Sequence, residues 1–281
     1  MNDNLLNQIT PFIKLARYDR PVGFMLLFWP CMWSLLLYSL YIEQPVPISF
    51  FVLFFIGSII MRGAGCTWND FLDKEYDKNV TRTKDRPLAA NKIKTISAIV
   101  FLVVQLLIGL LILVQFNKLT IIIGSLALIP VFIYPLMKRV TWWPQVFLGI
   151  TFNWGALLGW LSLSNDFSSI YPVLLYLACI FWTVGYDTIY AHQDKDDDIV
   201  LNLKSSAIKL GENTKKALFI FYAIFFIIFA VILFSLSNSI IIHLAILSLL
   251  IHLVFQIIYL DIDNSDRCLK IFKSNNLLGL Q

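Results

Sequence analysis

The sequence predicts an all-α fold: a polytopic transmembrane helical bundle, eight full spans plus a truncated ninth, around a central cavity. Three observations predict it. The 281 residues are 58% hydrophobic and only 14% charged, with a mean hydropathy of +0.75, whereas a soluble domain carries about 25% charged residues. The apolar residues gather in stretches of about 20, the length that crosses a bilayer as a helix. Lys and Arg fall almost entirely between alternate stretches, the asymmetry that sets membrane orientation. Residues 1–281 read as a single domain.

The elements follow in order. The head, MNDNLLNQITPFIKLARYDRP, lacks the short apolar core and small-residue cleavage site of a removable signal. Its Lys14, Arg17 and Arg20 precede a first span expected over 22–41. A second is expected over 48–68, followed by an acidic run and then by Lys78, Arg82, Lys84, Arg86, Lys92 and Lys94. The third and fourth, 95–116 and 119–137, are joined by a turn holding only Lys118, and Lys138 and Arg139 follow the fourth. The fifth and sixth are expected over 143–163 and 170–190, with Lys195, Lys204, Lys209, Lys215 and Lys216 after them. The seventh and eighth, 216–236 and 238–260, lead to Arg267, Lys270 and Lys273. The stretch IFKSNNLLGLQ, 271–281, holds at most the first turns of a further helix. Pro30, Pro130, Pro135 and Pro172 sit inside or at the ends of spans, which membrane bundles tolerate. Trp142 and Trp143 suit a membrane interface.

With the N-terminus in the cytoplasm, the basic loops are cytoplasmic, and a bacterial inner membrane is the expected home. The four cysteines, Cys31, Cys66, Cys179 and Cys268, form no CxxC and no pairing pattern, so neither a disulfide framework nor a zinc site is expected. Nothing points to nucleic acid or to an obligate protein partner.

Two acidic clusters stand out, both on basic loops. NDFLDKEYD, 69–77, holds three Asp and one Glu at the end of an oily stretch. At about 100° per residue, Asp73 and Asp77 lie within about 80° of Asn69, on one face if the helix runs on past the membrane. Asp70 lies off that face. In YDTIYAHQDKDDD, 186–198, Asp194 and Asp198 fall within about 20° of Asp187, while Asp196 and Asp197 point elsewhere. Facing carboxylate stripes repel unless a cation lies between them, and oxygen-only ligands suit Mg2+. Mg2+ takes one or two carboxylates together with substrate phosphates. Two such walls at a membrane surface therefore suggest a lipid diphosphate bridged by Mg2+, with Arg62, Arg82, Arg86, Lys138 and Arg139 available for the remaining charge.

The plainer readings are weighed beside this one. One acidic run at a helix end is usually a solvated face; two in phase on one side argue against that. Asp194, Asp196 and Asp198 match the start of a Ca2+ loop, but Ile199 stands where that turn needs Gly and Ser205 where it needs Glu. Asp187 falls at the end of a span, where a carboxylate is costly. Arg62 suits either an anion or a pairing carboxylate, and Arg17 and Arg20 either a site or topology alone. Asn153, His243 and His252 read as structural, and His192 lies off the acidic stripe by about 140°.

Four stretches carry a family resemblance: RYDRPVGFMLLFWPCMW (17–33), MRGAGCTWNDFLDKEYDKNVTRTKDRPLA (61–89), YPLMKRVTWWPQ (134–145) and YDTIYAHQDKDDDIVLNLKSSAIKLG (186–211). Together they resemble the UbiA superfamily of intramembrane aromatic prenyltransferases, and within it the ubiquinone branch rather than the menaquinone or haem branches. The resemblance implies nine helices around a cavity open to lipid, with a polyprenyl diphosphate as donor and 4-hydroxybenzoate as acceptor. It implies that Asn69, Asp73 and Asp77 hold Mg2+ and diphosphate from one wall, that Asp194 and Asp198 do so from the other, and that Arg139 lies near the diphosphate, with Lys138 beside it. Arg17 and Arg62 are the candidates for the acceptor carboxylate, and either Asp187 or a phosphate oxygen takes the ring proton. Asn202 stands where the family commonly has Gly. Another aromatic acceptor is the alternative, and a cation-coupled transporter a more distant one, since its acids belong near mid-bilayer on broken helices.

Overall fold

The computed structural model describes residues 3–79 and 83–281. Among these, eight helices are long and apolar enough to cross a membrane: Val22–Ile42, Ile48–Leu72, Thr95–Leu113, Lys118–Val140, Pro144–Ser164, Tyr171–Ala191, Ser206–Leu236 and Ile240–Tyr259. No strand occurs among the described residues. A separate helix, Asp3–Leu15, precedes the first span.

Two spans depart from simple helices for reasons visible in the sequence. The fourth divides into Lys118–Leu126, Leu128–Ile133, a 3-10 turn Tyr134–Leu136 and Met137–Val140. Pro130 and Pro135 each remove a backbone donor and crowd the preceding turn. The fifth breaks between Pro144–Phe152 and Gly155–Ser164. Asn153 stands at that break and donates to the Gly149 carbonyl (2.7 Å) and the Thr183 hydroxyl (2.8 Å), the structural role expected of it.

The sixth span is central. It packs against the seventh, both halves of the fifth, and the helix Ser265–Gly279. Trp33, Trp182 and Phe225 interlock there, with Trp182 and Phe225 stacked at 6.0 Å. The first span meets Gly155–Ser164 closely: a Cβ at Gly155 would stand against Cys31 Sγ, and one at Gly159 would lie 2.8 Å from the Cys31 carbonyl. Small residues permit such approach where lipid supplies no hydrophobic drive between helices. Large apolar side chains such as Leu111, Leu244 and Ile251 face outward, as lipid-facing positions do.

The further helix expected over 271–281 is present but starts earlier. The helix begins at Ser265 and runs 15 residues to Gly279, taking in Arg267, Lys270 and Lys273, which read as loop. It is too polar to be recognised as a span, because its polar groups have protein partners. Asn275 is fully buried and accepts from Trp182 Nε1 (2.8 Å) and Gln256 Nε2 (3.1 Å). Asn276 accepts from Trp29 Nε1 (3.0 Å), and the Gly279 carbonyl from Trp33 Nε1 (3.1 Å). The four cysteines are free and buried.

Candidate active site

A cavity of about 1570 Å³ runs through the bundle. Its lining on the second span extends from Leu53 to Asp70, about 25 Å at the helical rise of 1.5 Å per residue. The part walled by the second to fifth spans is mainly apolar, with Leu106, Leu110, Leu128 and Val131 among the lining. The acidic residues line its other end.

The first acidic wall is built on a helix end. The second span keeps its hydrogen bonding through Asn69 and Asp70 and stops at Leu72. Asp73 has φ −94° and ψ 3°, so the single helix expected through Asp77 does not form. The register nonetheless carries across the break: Asp73 N donates to the Asn69 carbonyl (2.9 Å), and Asp77 N to the Asp73 carbonyl (2.8 Å). Asn69, Asp73 and Asp77 all line the cavity.

Cations surround this wall. The fully buried Asp73 accepts from Lys138 Nζ, from Arg139 (3.1 Å) and from Asn69 Nδ2 (3.2 Å). The Arg139 guanidinium also lies 4.5 Å from the Tyr76 ring centroid. Asp77 accepts from Arg86 at both oxygens, 3.0 and 2.8 Å. Burial pushes the Asp77 carboxyl above the usual carboxylate range, and Arg86 opposes that shift. Asp70 accepts from Arg17 (3.0 and 2.7 Å) and from Arg86 (3.2 Å). Burial works against the Arg17 charge, but Asp70 outweighs it and holds the guanidinium above its ordinary pKa. Arg82 lies outside the described residues.

The second wall also breaks its helix. The sixth span ends at Ala191, and a separate helix covers Lys195–Val200. The continuous stripe from Asp187 to Asp198 is therefore interrupted. Asp187, Asp194 and Asp198 still border the cavity, and Asp196 and Asp197 do not. Within the new turn Asp198 N donates to the Asp194 carbonyl (2.8 Å), preserving the four-residue relation. Lys204 N donates to the Lys138 carbonyl (2.8 Å), tying this loop to the basic end of the fourth span.

Arg62 lies deeper. Its guanidinium sits 4.9 Å from the Phe152 ring centroid, and its buried Nε has no hydrogen-bond partner among the described residues. Gly23 makes room for it, since a Cβ there would lie 2.7 Å from Arg62 Nε. Tyr134 lines the same region and went unnoticed in the sequence; its position four residues before Lys138, on the same helical face, was the available signal. The histidines stay outside: His192 meets Thr214 (3.0 Å), His252 meets Ser274 (3.1 Å) and His243 meets the Ser239 carbonyl (2.9 Å).

Among the described residues, no three of His, Cys, Asp or Glu converge as a ready-made metal cage. The donors offered are an Asn amide and carboxylates on two walls of one cavity. This oxygen-only set fits a hard divalent ion that draws further ligands from water and phosphate.

A family model described as the UbiA prenyltransferase family matches residues 27–277. The chain is 46% identical over 276 residues to a mitochondrial 4-hydroxybenzoate polyprenyltransferase of Drosophila melanogaster, covering 98% of this chain and 70% of that one. It is 42% identical over 280 residues to the protein of the same name in Homo sapiens, covering 99% and 75%. Among solved structures, the apo form of a UbiA homologue from Aeropyrum pernix K1 superposes with a TM-score of 0.78 at 22% identity, covering 92% of this chain and 94% of that one. A UbiA homologue from Archaeoglobus fulgidus bound to GPP and Mg2+ gives 0.69 at 19% identity, covering 96% of each chain.

Proposed function

The chain belongs to the UbiA prenyltransferase family, and from that premise we infer that it transfers a polyprenyl group from polyprenyl diphosphate to the ring of 4-hydroxybenzoate, ortho to the hydroxyl. The products are 3-polyprenyl-4-hydroxybenzoate and diphosphate, a step of ubiquinone biosynthesis. One observation carries this reading: two acidic walls from segments more than a hundred residues apart border a single cavity whose remaining length is largely apolar.

Mg2+ is the proposed metal, held by Asn69, Asp73 and Asp77 on one wall and by Asp194 and Asp198 on the other. When bound it would draw off the negative charge that develops as the allylic C–O bond breaks. The donor chemistry supports this choice, as does the Archaeoglobus homologue solved with GPP and Mg2+. Lys138, Arg139 and Arg86 lie within hydrogen-bond reach of the same carboxylates and supply fixed positive charge for the leaving diphosphate. The apolar wall takes the tail and keeps water from the allylic cation. The electron-rich ring attacks that cation, and loss of the ring proton, to Asp187 or to a phosphate oxygen, restores aromaticity. Arg62 is assigned to the acceptor carboxylate, on the strength of its cavity position and its unpartnered Nε.

We place the whole chain in the membrane as one unit, with the acidic loops on the side of the basic residues. Eight membrane-length helices among the described residues support a multi-pass membrane protein, whereas the curated relatives are mitochondrial by name and do not support the bacterial inner membrane expected from the sequence. Protease accessibility of the 195–204 loop in sealed, fractionated membranes tests both side and compartment.

The reaction is tested in membranes containing the protein, given polyprenyl diphosphate and labelled 4-hydroxybenzoate. Labelled lipid should form, and should be lost on chelation and in Asp73→Asn and Asp194→Asn. Turnover surviving both substitutions at saturating Mg2+ would rule out the two-wall scheme.

A further inference from the structure

One carboxylate at the acidic end of the cavity has no part in the chemistry above. Asp70 adjoins Asn69 on the last turn of the second span and is fully buried. Three N–H donors fill its oxygens: Arg17 NH1 (3.0 Å), Arg17 NH2 (2.7 Å) and Arg86 NH1 (3.2 Å). Asp70 lies off the helical face that carries Asn69, Asp73 and Asp77, and every side-chain donor it accepts from belongs to an arginine. The same Arg86 nitrogen also reaches both oxygens of Asp77.

These contacts join three segments: the turn before the first span, the end of the second, and the loop before the third. Arg17 takes a left-handed backbone with φ 59°, which costs roughly 1–3 kcal/mol and persists only where surroundings enforce it. Its NH1 is held further by the Leu15 carbonyl (2.9 Å). Nearby, Leu15, Leu88 and Ile93 form a small apolar cluster that packs the loop against the head of the chain. The Arg86 loop thus has an apolar anchor behind it and Asp70 in front.

We propose that Asp70 is a positioning residue for prenyl transfer. Resting on the reaction proposed above, it fixes the Arg86 guanidinium, with Arg17 opposite, so that positive charge stands beside Asp77 where the diphosphate binds. Asp70 acts through Arg86 and is not itself a metal ligand. This separates it from Asp73 and Asp77, although all three belong to one acidic run.

The test is a double-mutant cycle on the full-length protein. Asp70→Asn should raise the KM for polyprenyl diphosphate by about tenfold, the scale of one misplaced charge-assisted hydrogen bond. It should leave the Mg2+ concentration for half-maximal rate unchanged. Binding of inorganic diphosphate without Mg2+, measured by calorimetry, should weaken by a similar factor. In an Arg86→Gln background, which removes the cation that Asp70 holds, Asp70→Asn should add little. A Mg2+ requirement rising as in Asp73→Asn, additive effects in the cycle, or unchanged diphosphate affinity would each overturn the proposal. If Asp70→Asn does not fold, Asp70→Glu takes its place, keeping the charge while displacing Arg86. Wild-type membranes that form no product would count against the proposed reaction, and the calorimetric comparison would still decide whether Asp70 orders a diphosphate site.

Discussion

Replacing Gly23 by Ala perturbs Arg62 through a single methyl group. Gly23 lies in the helix Val22–Ile42, where Ala is favoured over Gly by about 1 kcal/mol, so the fold should hold or gain slightly. The added Cβ would stand 2.7 Å from Arg62 Nε, 3.3 Å from one terminal nitrogen and 3.4 Å from Cζ. Ordinary contact begins at 3.4 Å, so the guanidinium must withdraw by about 0.7 Å. A charge-assisted bond lengthened by that much passes out of hydrogen-bonding range. Losing it costs roughly 1.5–3 kcal/mol, or about 10- to 100-fold in affinity. Initial rates with labelled 4-hydroxybenzoate at saturating polyprenyl diphosphate should show that rise in the acceptor KM. The donor KM should stay put, because Lys138 and Arg139 sit on other elements. Arg62→Ala is the reference and should match or exceed the effect. An acceptor KM unchanged in Gly23→Ala but raised in Arg62→Ala would refute the steric reasoning; one unchanged in both would remove Arg62 from the acceptor site.

Other outcomes follow from the same geometry. Asn275→Ala orphans the buried N–H groups of Trp182 and Gln256 at roughly 1–3 kcal/mol each, so unfolding in detergent should show a loss of about 2–6 kcal/mol. Lys138→Gln with Arg139→Gln leaves Asp73 buried beside Asn69 alone, a change of roughly 3–5 kcal/mol; melting should become Mg2+-dependent, with chelator lowering the midpoint far more than in the wild type. Burial lowers the His192 pKa from 6.5 to about 4. A depressed base stabilises the fold fully above its unfolded pKa, and that contribution disappears as pH falls through the folded value. Melting temperature should therefore drop between pH 6.5 and about 4, and His192→Gln should flatten that part of the profile.

Much of the architecture was legible because each lipid-crossing helix must satisfy its own backbone within one apolar stretch. The eight expected spans correspond to the eight found, and their edges shift where polarity misleads. Asn69 and Asp70 fall beyond the expected span, 48–68, but continue the second helix to Leu72. Ser274, Asn275 and Asn276 concealed a helix because their partners, two indoles, a glutamine and a histidine on other spans, cannot be seen locally. Periodicity placed Asp187, Asp194 and Asp198 together for a reason only partly right. The helix breaks, yet the four-residue hydrogen bond from Asp198 restores the phase. Asp70 was set aside for pointing away from the stripe, and its partner Arg17, 53 residues earlier, lies beyond any local pattern.

The indole contacts of the helix Ser265–Gly279 bear on how the protein is made. Its polar residues Asn275 and Asn276 are satisfied by groups on other spans. During translation the first span emerges with Trp29 waiting for an acceptor 247 positions away, and Trp33 waits almost as long. Until then those two indoles lack the acceptors they have in the folded bundle. The helix Ser265–Gly279 therefore docks on spans made long before it, and synthesis halted before residue 275 would leave Trp29, Trp33 and Trp182 without these acceptors.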